Sequence, residues 1–260
     1  LGQNFLINDS VVDKIVESAE ITKEDLVIEI GPGLGNLTKF LLEKAGKVIA
    51  IELDERMLEI LNDRFSLYDN FEIINEDVLK VNLNNLIQQE NTQNYTVKIV
   101  ANLPYYITTP IIMKLLEEKL NIDSITVMVQ KEVADRLTEI PGGKNTGAIT
   151  YCVYYYSEPQ EVLTVPNTSF VPEPKVCSEV IKLNIRKEPP VVLKDEKIFF
   201  KVVKASFMQR RKTLLNGLAN AGIASKEKLK EILQELNLSE NVRGESLGIE
   251  QFAEIANKLC

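Results

Sequence analysis

Residues 26–40 read LVIEIGPGLGNLTKF, and this stretch decides the fold. Leu26 to Ile30 form a short apolar run that stops at Gly31-Pro32-Gly33-Leu34-Gly35, the pattern of a buried strand closed by a turn. From Asn36 the apolar residues recur at helical spacing, and Gly46 is a stop signal. Strand, glycine-rich turn and helix are the opening unit of a doubly wound α/β sheet. Glycines there let the backbone approach a ligand closely, because side chains would obstruct it.

The pattern continues downstream. KVIAIELD (47–54), FEIINED (71–77), VKIVANLPYY (from 97) and SITVMVQ (124–130) read as strands. DERMLEILNDRF (54–65), TPIIMKLLEEK (109–119) and KEVADRLTEI (131–140) read as the helices between them. Pro110 falls near a first helical turn, where its missing N–H is harmless. TGAITYCVYYY (146–156) fits helix or strand; a helix is expected, because two strands, PQEVLTVP and SEVIKLNI, follow at once. Pro189-Pro190 marks a linker, and beyond it only helical patterns occur. The expectation is a Rossmann-like, seven-stranded α/β domain over 1–187 and a small all-helical domain over 188–260.

Composition narrows the chemistry. There is no histidine, so imidazole-based hydrolysis is excluded and a transition-metal site is not expected. Cys152, Cys177 and Cys260 are far apart and odd in number, which fits a reducing cytoplasm better than a disulfide framework or a zinc site. No stretch approaches the roughly 20 apolar residues of a membrane span. The chain begins at Leu1 rather than Met, which leaves room for a short native leader ahead of it. The net charge of −8 is unevenly spread. Residues 1–187 carry 18 Lys and Arg against 28 Asp and Glu, whereas 188–260 carry 12 against 10. From Lys201 to Lys226 there is no acid, and Lys201, Lys204, Arg210, Arg211 and Lys212 form a basic stripe. Such a stripe is an electrostatic footprint for nucleic acid, or a plain solvated helix face.

Gly31-x-Gly33-x-Gly35 alone fits a dinucleotide site or a tight turn as well as a nucleoside site. Three acids at successive strand ends separate these. Glu29 lies at the mouth of the turn, where it would repel a pyrophosphate but favour the ammonium of a methionine moiety. Glu52 is placed for ribose hydroxyls. Asp77, followed by Val78, is placed to accept from an adenine amine. Each alone is equally a satisfied loop carboxylate; together, at the carboxyl edge of one sheet, they point to S-adenosylmethionine. Asn102-Leu103-Pro104-Tyr105 follows the fourth strand. The exocyclic amine of adenine is a poor nucleophile because its lone pair is delocalised into the ring. Two acceptors, the Asn102 side-chain oxygen and the Leu103 carbonyl, would grip its N–H groups and favour a pyramidal nitrogen. Pro104 sets the turn, and Tyr105 offers a stacking face. The alternative is a proline turn with an aromatic plug. Phe170, in Phe170-Val171-Pro172-Glu173-Pro174-Lys175, could cover the other face of the base or serve as a hydrophobic anchor.

Together these residues resemble the ribosomal RNA adenine dimethyltransferase family, in GQNFL (2–6), EIGPGLGNLT (29–38), NLPYYITTPI (102–111), FVPEPKV (170–176), RRKTLLNGL (210–218) and the closing RGESLGIEQFAEIANKL. The resemblance covers nearly the whole chain. It implies a class I methyltransferase fold and two successive methyl transfers to N6 of paired adenines near the 3′ end of small-subunit RNA. It implies that Asn4 and Leu6 close over the cofactor, and that Gly31, Glu52, Asp77 and Asn102 contact it. Lys175 and the basic stripe are the expected RNA contacts, within a small-subunit particle, and a monomer is the default expectation. One departure is Cys177-Ser178 where the family usually has Asp-Ser. The related erythromycin-resistance methylases of large-subunit RNA share the first motifs and are the alternative, as is a non-catalytic assembly factor on the same fold.

Overall fold

The computed structural model describes residues 5–209 and 211–260, so Asn4 and Arg210 lie outside the described residues. Two compact units divide the chain: 1–134 with 158–185, and 135–157 with 186–260.

The first unit is built on a seven-stranded sheet. In chain order its strands are β2 (Asp25–Ile30), β3 (Lys47–Glu52), β4 (Phe71–Asn75), β5 (Thr96–Asn102), β6 (Ser124–Gln130), β7 (Ser157–Val165) and β9 (Ser178–Ile185). Their spatial order is β4-β3-β2-β5-β6-β9-β7. β2, β3, β4, β5 and β6 are parallel, and β9 runs antiparallel to β6. The chain leaves β2 toward β3 and later returns to pair β5 on its other side. That reversal opens a crevice at the carboxyl ends of β2 and β5, where such sheets bind ligands. Ile30 and Ala101 are partners in the ladder, so Gly31, just beyond β2, and Asn102, the last residue of β5, lie side by side at the sheet's carboxyl edge. Strand β2 is buried along its whole length, as expected of a central parallel strand covered on both faces.

Helices α2 (Asn36–Lys44), α3 (Glu55–Arg64), α5 (Thr108–Glu117) and α6 (Lys131–Leu137) fall where the periodicity places them. Two helices lie outside that reading, α1 (Asp9–Ser18) and α4 (Leu83–Glu90). Each starts on an asparagine cap: Asn8 accepts from Ser10 N–H, and Asn82 from Asn85 N–H. A second, two-stranded sheet also lies outside it. There β1 (Phe5–Leu6) pairs antiparallel with β8 (Phe170–Val171).

In the second unit, α7 (Ala148–Tyr156) is the helix expected over 146–156. It packs with α8 (Glu196–Met208), α9 (Leu214–Asn220), α10 (Lys226–Glu235) and α11 (Ile249–Leu259) around Tyr151, Phe199 and Phe252. The sequence boundary at 187 falls beside the observed cut after 185, but α7 belongs with the helical unit. The reason is its burial: Tyr151 and Tyr155 are core residues of that unit. Among the described residues no helix is long and apolar enough to cross a membrane.

The Tyr151 hydroxyl is buried and donates to the Leu247 carbonyl at 2.6 Å. Tyr151→Phe is expected to leave that carbonyl without its donor and to lower stability by about 1–2 kcal/mol in urea unfolding. An unchanged midpoint would contradict this.

Candidate active site

The turn after β2 is built from three residues in the left-handed region: Gly31 at φ +67°, Gly33 at +57° and Gly35 at +79°. They do different work. A Cβ on Gly31 would meet open space, so the backbone itself is the wall of the cavity there. A Cβ on Gly33 would sit 3.3 Å from the Phe5 ring. At Gly35 a Cβ would come within 2.6 Å of Phe65 and 2.8 Å of Leu61, so this glycine serves close packing of α2 on α3. Gly35 does not line the cavity, which corrects its expected place among the cofactor contacts.

A cavity of about 470 Å³ opens above this turn, within the range of roughly 300–1,000 Å³ usual for small-molecule sites. Its walls bring together Leu6, Glu29, Gly31, Gly33, Glu52, Asp77, Val78, Asn102, Leu103, Pro104 and Tyr105. Residues from the ends of four strands and from the N-terminal segment therefore converge.

Each polar group has a distinct state. Glu52 is buried, and its carboxylate accepts Gly33 N–H at 3.2 Å and Asp54 N–H at 2.9 Å. It ties the end of β3 to the glycine turn, and each oxygen keeps a lone pair for a ribose hydroxyl. Asp77 caps its own loop through Oδ1, which accepts Leu79 N–H at 3.0 Å. Neither Asp77 Oδ2 nor the Val78 N–H has a partner among the described residues. That leaves one acceptor and one donor, the pair an adenine edge requires. The neighbouring Asp54 is already engaged: Arg56 lies 2.5 Å away and holds its carboxyl down at about 2.

Glu29 is the anomaly. It is 1% exposed, and neither its Oε2 nor the Thr38 hydroxyl has a hydrogen-bond partner among the described residues. Burial pushes its carboxyl up to about 8; Thr38 nearby offsets part of this and the Glu52 carboxylate adds to it. An orphaned buried carboxyl in a cavity wall is a group waiting for a cation. The residues present therefore fit a nucleoside carrying an ammonium-bearing tail.

At the other end, Leu103 N–H is fixed by the Met128 carbonyl at 3.2 Å, and the Pro104 carbonyl accepts Ile107 N–H and the Thr108 hydroxyl. The Asn102 side chain and the Leu103 carbonyl accept nothing from the described residues. Tyr105 lines the cavity and shares a 2.7 Å hydrogen bond with Ser178. Tyr106, also in the wall, is 68% exposed.

Phe170 departs from its expected place over the base. It is 3% exposed, is partnered with Leu6 in the short ladder, and packs in the core of the first unit. Successive residues of a strand face opposite sides, so Phe170 turns inward and Val171 stays exposed. In this structure Phe170 is an anchor and not a wall of the cavity. Cys177 is exposed and its carbonyl accepts Lys131 N–H, so the position where the family usually has Asp is held through its backbone.

Sequence reasoning missed Asn36, which donates from Nδ2 to the Leu6 carbonyl at 2.8 Å and accepts from Arg64 at 3.2 Å. Arg64 also donates to the Leu34 carbonyl, so the N-terminal segment and the glycine turn are cross-tied. The signal was present as an amide following the glycine run, but it reads equally as a helix start. Lys175, Lys201, Lys204, Arg211 and Lys212 are all exposed. Lys201 and Lys204 share one face of α8, and none of the five has an acidic partner among the described residues. The described residues also contain no cluster of metal-ligating side chains.

Comparison with known proteins gives a consistent picture. The chain matches the family described as ribosomal RNA adenine dimethylase over residues 1–259. It is 52% identical over 259 residues to ribosomal RNA small subunit methyltransferase A of Lachnoclostridium phytofermentans, covering 98% of this chain and 89% of that protein. Identity is 50% over 262 residues to the protein of the same name from Geobacillus sp., covering 100% and 90%. Among solved structures, a dimethyladenosine transferase from Plasmodium falciparum is 27% identical with a TM-score of 0.79, covering 96% and 95%. The 23S rRNA methyltransferase ErmE is 25% identical with a TM-score of 0.73, covering 98% and 99%.

The raised Glu29 carboxyl has a signed consequence. The unfolded chain ionises it near 4.5, whereas the folded protein keeps the proton to about 8. Its contribution to stability therefore falls as pH rises from 4.5 to 8 and is level above that. Glu29→Gln is expected to melt higher than the parent, by a margin that widens from pH 5 to pH 8 and then holds. A margin constant across that range would contradict the burial account.

Proposed function

The chain belongs to the ribosomal RNA adenine dimethylase family, and we propose that it transfers methyl groups from S-adenosylmethionine to the exocyclic N6 amines of adjacent adenines near the 3′ end of 16S rRNA, during assembly of the small subunit. The observation that carries this reading is the pair of unengaged acceptors, the Asn102 side-chain oxygen and the Leu103 carbonyl. They lie at the end of β5 and just beyond it, and share a cavity with the orphaned carboxyl of Glu29.

When bound, S-adenosylmethionine supplies an electrophilic methyl group on a sulfonium. The residues of this chain fit its parts: Glu29 for the ammonium, Glu52 for the ribose hydroxyls, Asp77 and Val78 for the adenine edge. Leu6, beside them in the wall, closes over it. Asn102 and Leu103 accept the two N–H groups of the target amine. That draws the nitrogen lone pair out of conjugation and aims it along the line of displacement. Tyr105 stacks on the target base, worth roughly 1–3 kcal/mol. Phe170 is left out of this contact. Asn102 and Leu103 would hold the nitrogen ready to accept the methyl group, which S-adenosylmethionine would supply while its sulfur keeps the bonding pair. The resulting ammonium, still held by the two acceptors, loses its proton to water. No imidazole is needed, and positioning carries most of the rate.

RNA is held largely through phosphates, by Lys175, Lys201, Lys204, Arg210, Arg211 and Lys212, while the target adenine is extruded from its stack. The free thiols, two of them exposed, fit a reducing cytoplasm, and a monomer suffices for this chemistry. A large-subunit target on the same fold is the alternative; half of all positions are identical to small-subunit relatives, against a quarter to the 23S methylase.

Asn102→Ala is expected to lower kcat/KM on under-methylated small subunits by about a hundredfold or more; unchanged turnover would remove the proposed role. Replacing Lys201 and Lys204 with Ala is expected to reduce the slope of log affinity against log salt by about 1.5–2 without altering cofactor affinity. An unaltered slope would take these two residues out of the RNA contact.

A further inference from the structure

We propose that Ser178 is a positioning residue for methyl transfer, acting by fixing the direction of the Tyr105 ring in the cavity; this rests on the function proposed above. The two hydroxyls lie 2.7 Å apart across 73 residues of chain. Ser178 is wholly buried, so it can reach substrate only through Tyr105.

The backbone next to both ends of this bond is already hydrogen-bonded. Ser178 is the first residue of β9 and is partnered with Gln130 at the end of β6, and the preceding Cys177 carbonyl accepts Lys131 N–H at 3.1 Å. On the other side, Leu103 N–H and the Pro104 carbonyl are both bonded. What remains free in Tyr105 is its side chain. A tyrosine that is only half buried can choose between staggered χ1 wells. A bond at the far end of the ring selects one of them, because changing χ1 swings the phenol oxygen through several ångströms.

The hydroxyl of Ser178 is not required to hold β9. The ladder pairs seven consecutive residues, Ser178 to Asn184, with β6 through the main chain. The bond therefore serves the ring more than the sheet. A base stacked on a ring that points elsewhere loses its register with Asn102 and Leu103, and misplacement of that order costs turnover rather than cofactor binding.

The test is a double-mutant cycle on the full chain, with S-adenosylmethionine and under-methylated small subunits, for the parent, Ser178→Ala, Tyr105→Phe and the pair. Each single variant is expected to lose about tenfold in kcat, with the KM for cofactor and the unfolding midpoint close to the parent's. The pair is expected to be no worse than the poorer single variant, because both remove the same bond. Ser178→Thr, which keeps a hydroxyl, is expected to recover most of the rate. If Ser178→Ala fails to fold, Tyr105→Phe against Ser178→Thr carries the comparison from the cavity side. Losses that multiply in the pair, or a Ser178→Ala variant with the parent's kcat, would overturn the role of Ser178 alone. A parent that transfers no methyl group would overturn the reading of the site itself, and this role with it.

Discussion

The site depends on one buried contact, the carboxylate of Glu52 accepting the backbone N–H of Gly33 across the crevice edge. Gly31, Gly33 and Gly35, at alternate positions of that turn, adopt backbone conformations that side chains disfavour, and nothing in so permissive a loop holds them there by itself. Glu52 supplies the restraint from the neighbouring strand, and Asn36 and Arg64 add a second one from the helix side. With the turn fixed, Gly31 presents bare backbone to the cavity, and the parallel ladder sets Asn102 beside it. The glycine wall of the cavity after β2 and the unengaged acceptors at the end of β5 are thus parts of one frame.

Glu29 shows the opposite economy. A buried carboxyl with an unpartnered oxygen is destabilising, and a fold selected for stability alone would place a neutral side chain there. The arrangement makes sense if a cation completes it. The same logic covers Asp77 Oδ2, the Val78 N–H, the Asn102 side chain and the Leu103 carbonyl. Groups that a protein would ordinarily satisfy internally are left open around a single cavity, each matching one polar feature of a methionine-bearing nucleoside or of an adenine amine.

Most of the frame was legible in the sequence. The strand–glycine–helix unit, the alternation after it and the helical tail follow from period and turn chemistry, and the acids at successive strand ends declare the cavity. What was not legible has physical causes. Helix α4 carries only three apolar residues in LNNLIQQE, and α1 lies ahead of the strand–glycine–helix unit from which the alternation is read. The two-residue strands β1 and β8 have no pattern of their own and exist because they pair with each other, Phe5 with Val171 and Leu6 with Phe170. That pairing also decides Phe170: an aromatic in a proline-stiffened loop reads as a stacking face, and only the ladder reveals that it points inward. Gly35 looked like its neighbours in the motif, but its environment is Phe65 and Leu61. Helix α7 follows the sheet's pattern in sequence and the helical unit's core in space, which no local pattern distinguishes. The Tyr105–Ser178 bond joins two motifs that sequence could only treat separately.

The most direct test of the central claim is to incubate the protein with labelled-methyl S-adenosylmethionine and under-methylated small and large ribosomal subunits, and to identify the modified nucleosides. N6,N6-dimethyladenine in small-subunit RNA alone is the result expected from this account. Label in large-subunit RNA alone, or none in either despite cofactor binding, would contradict it.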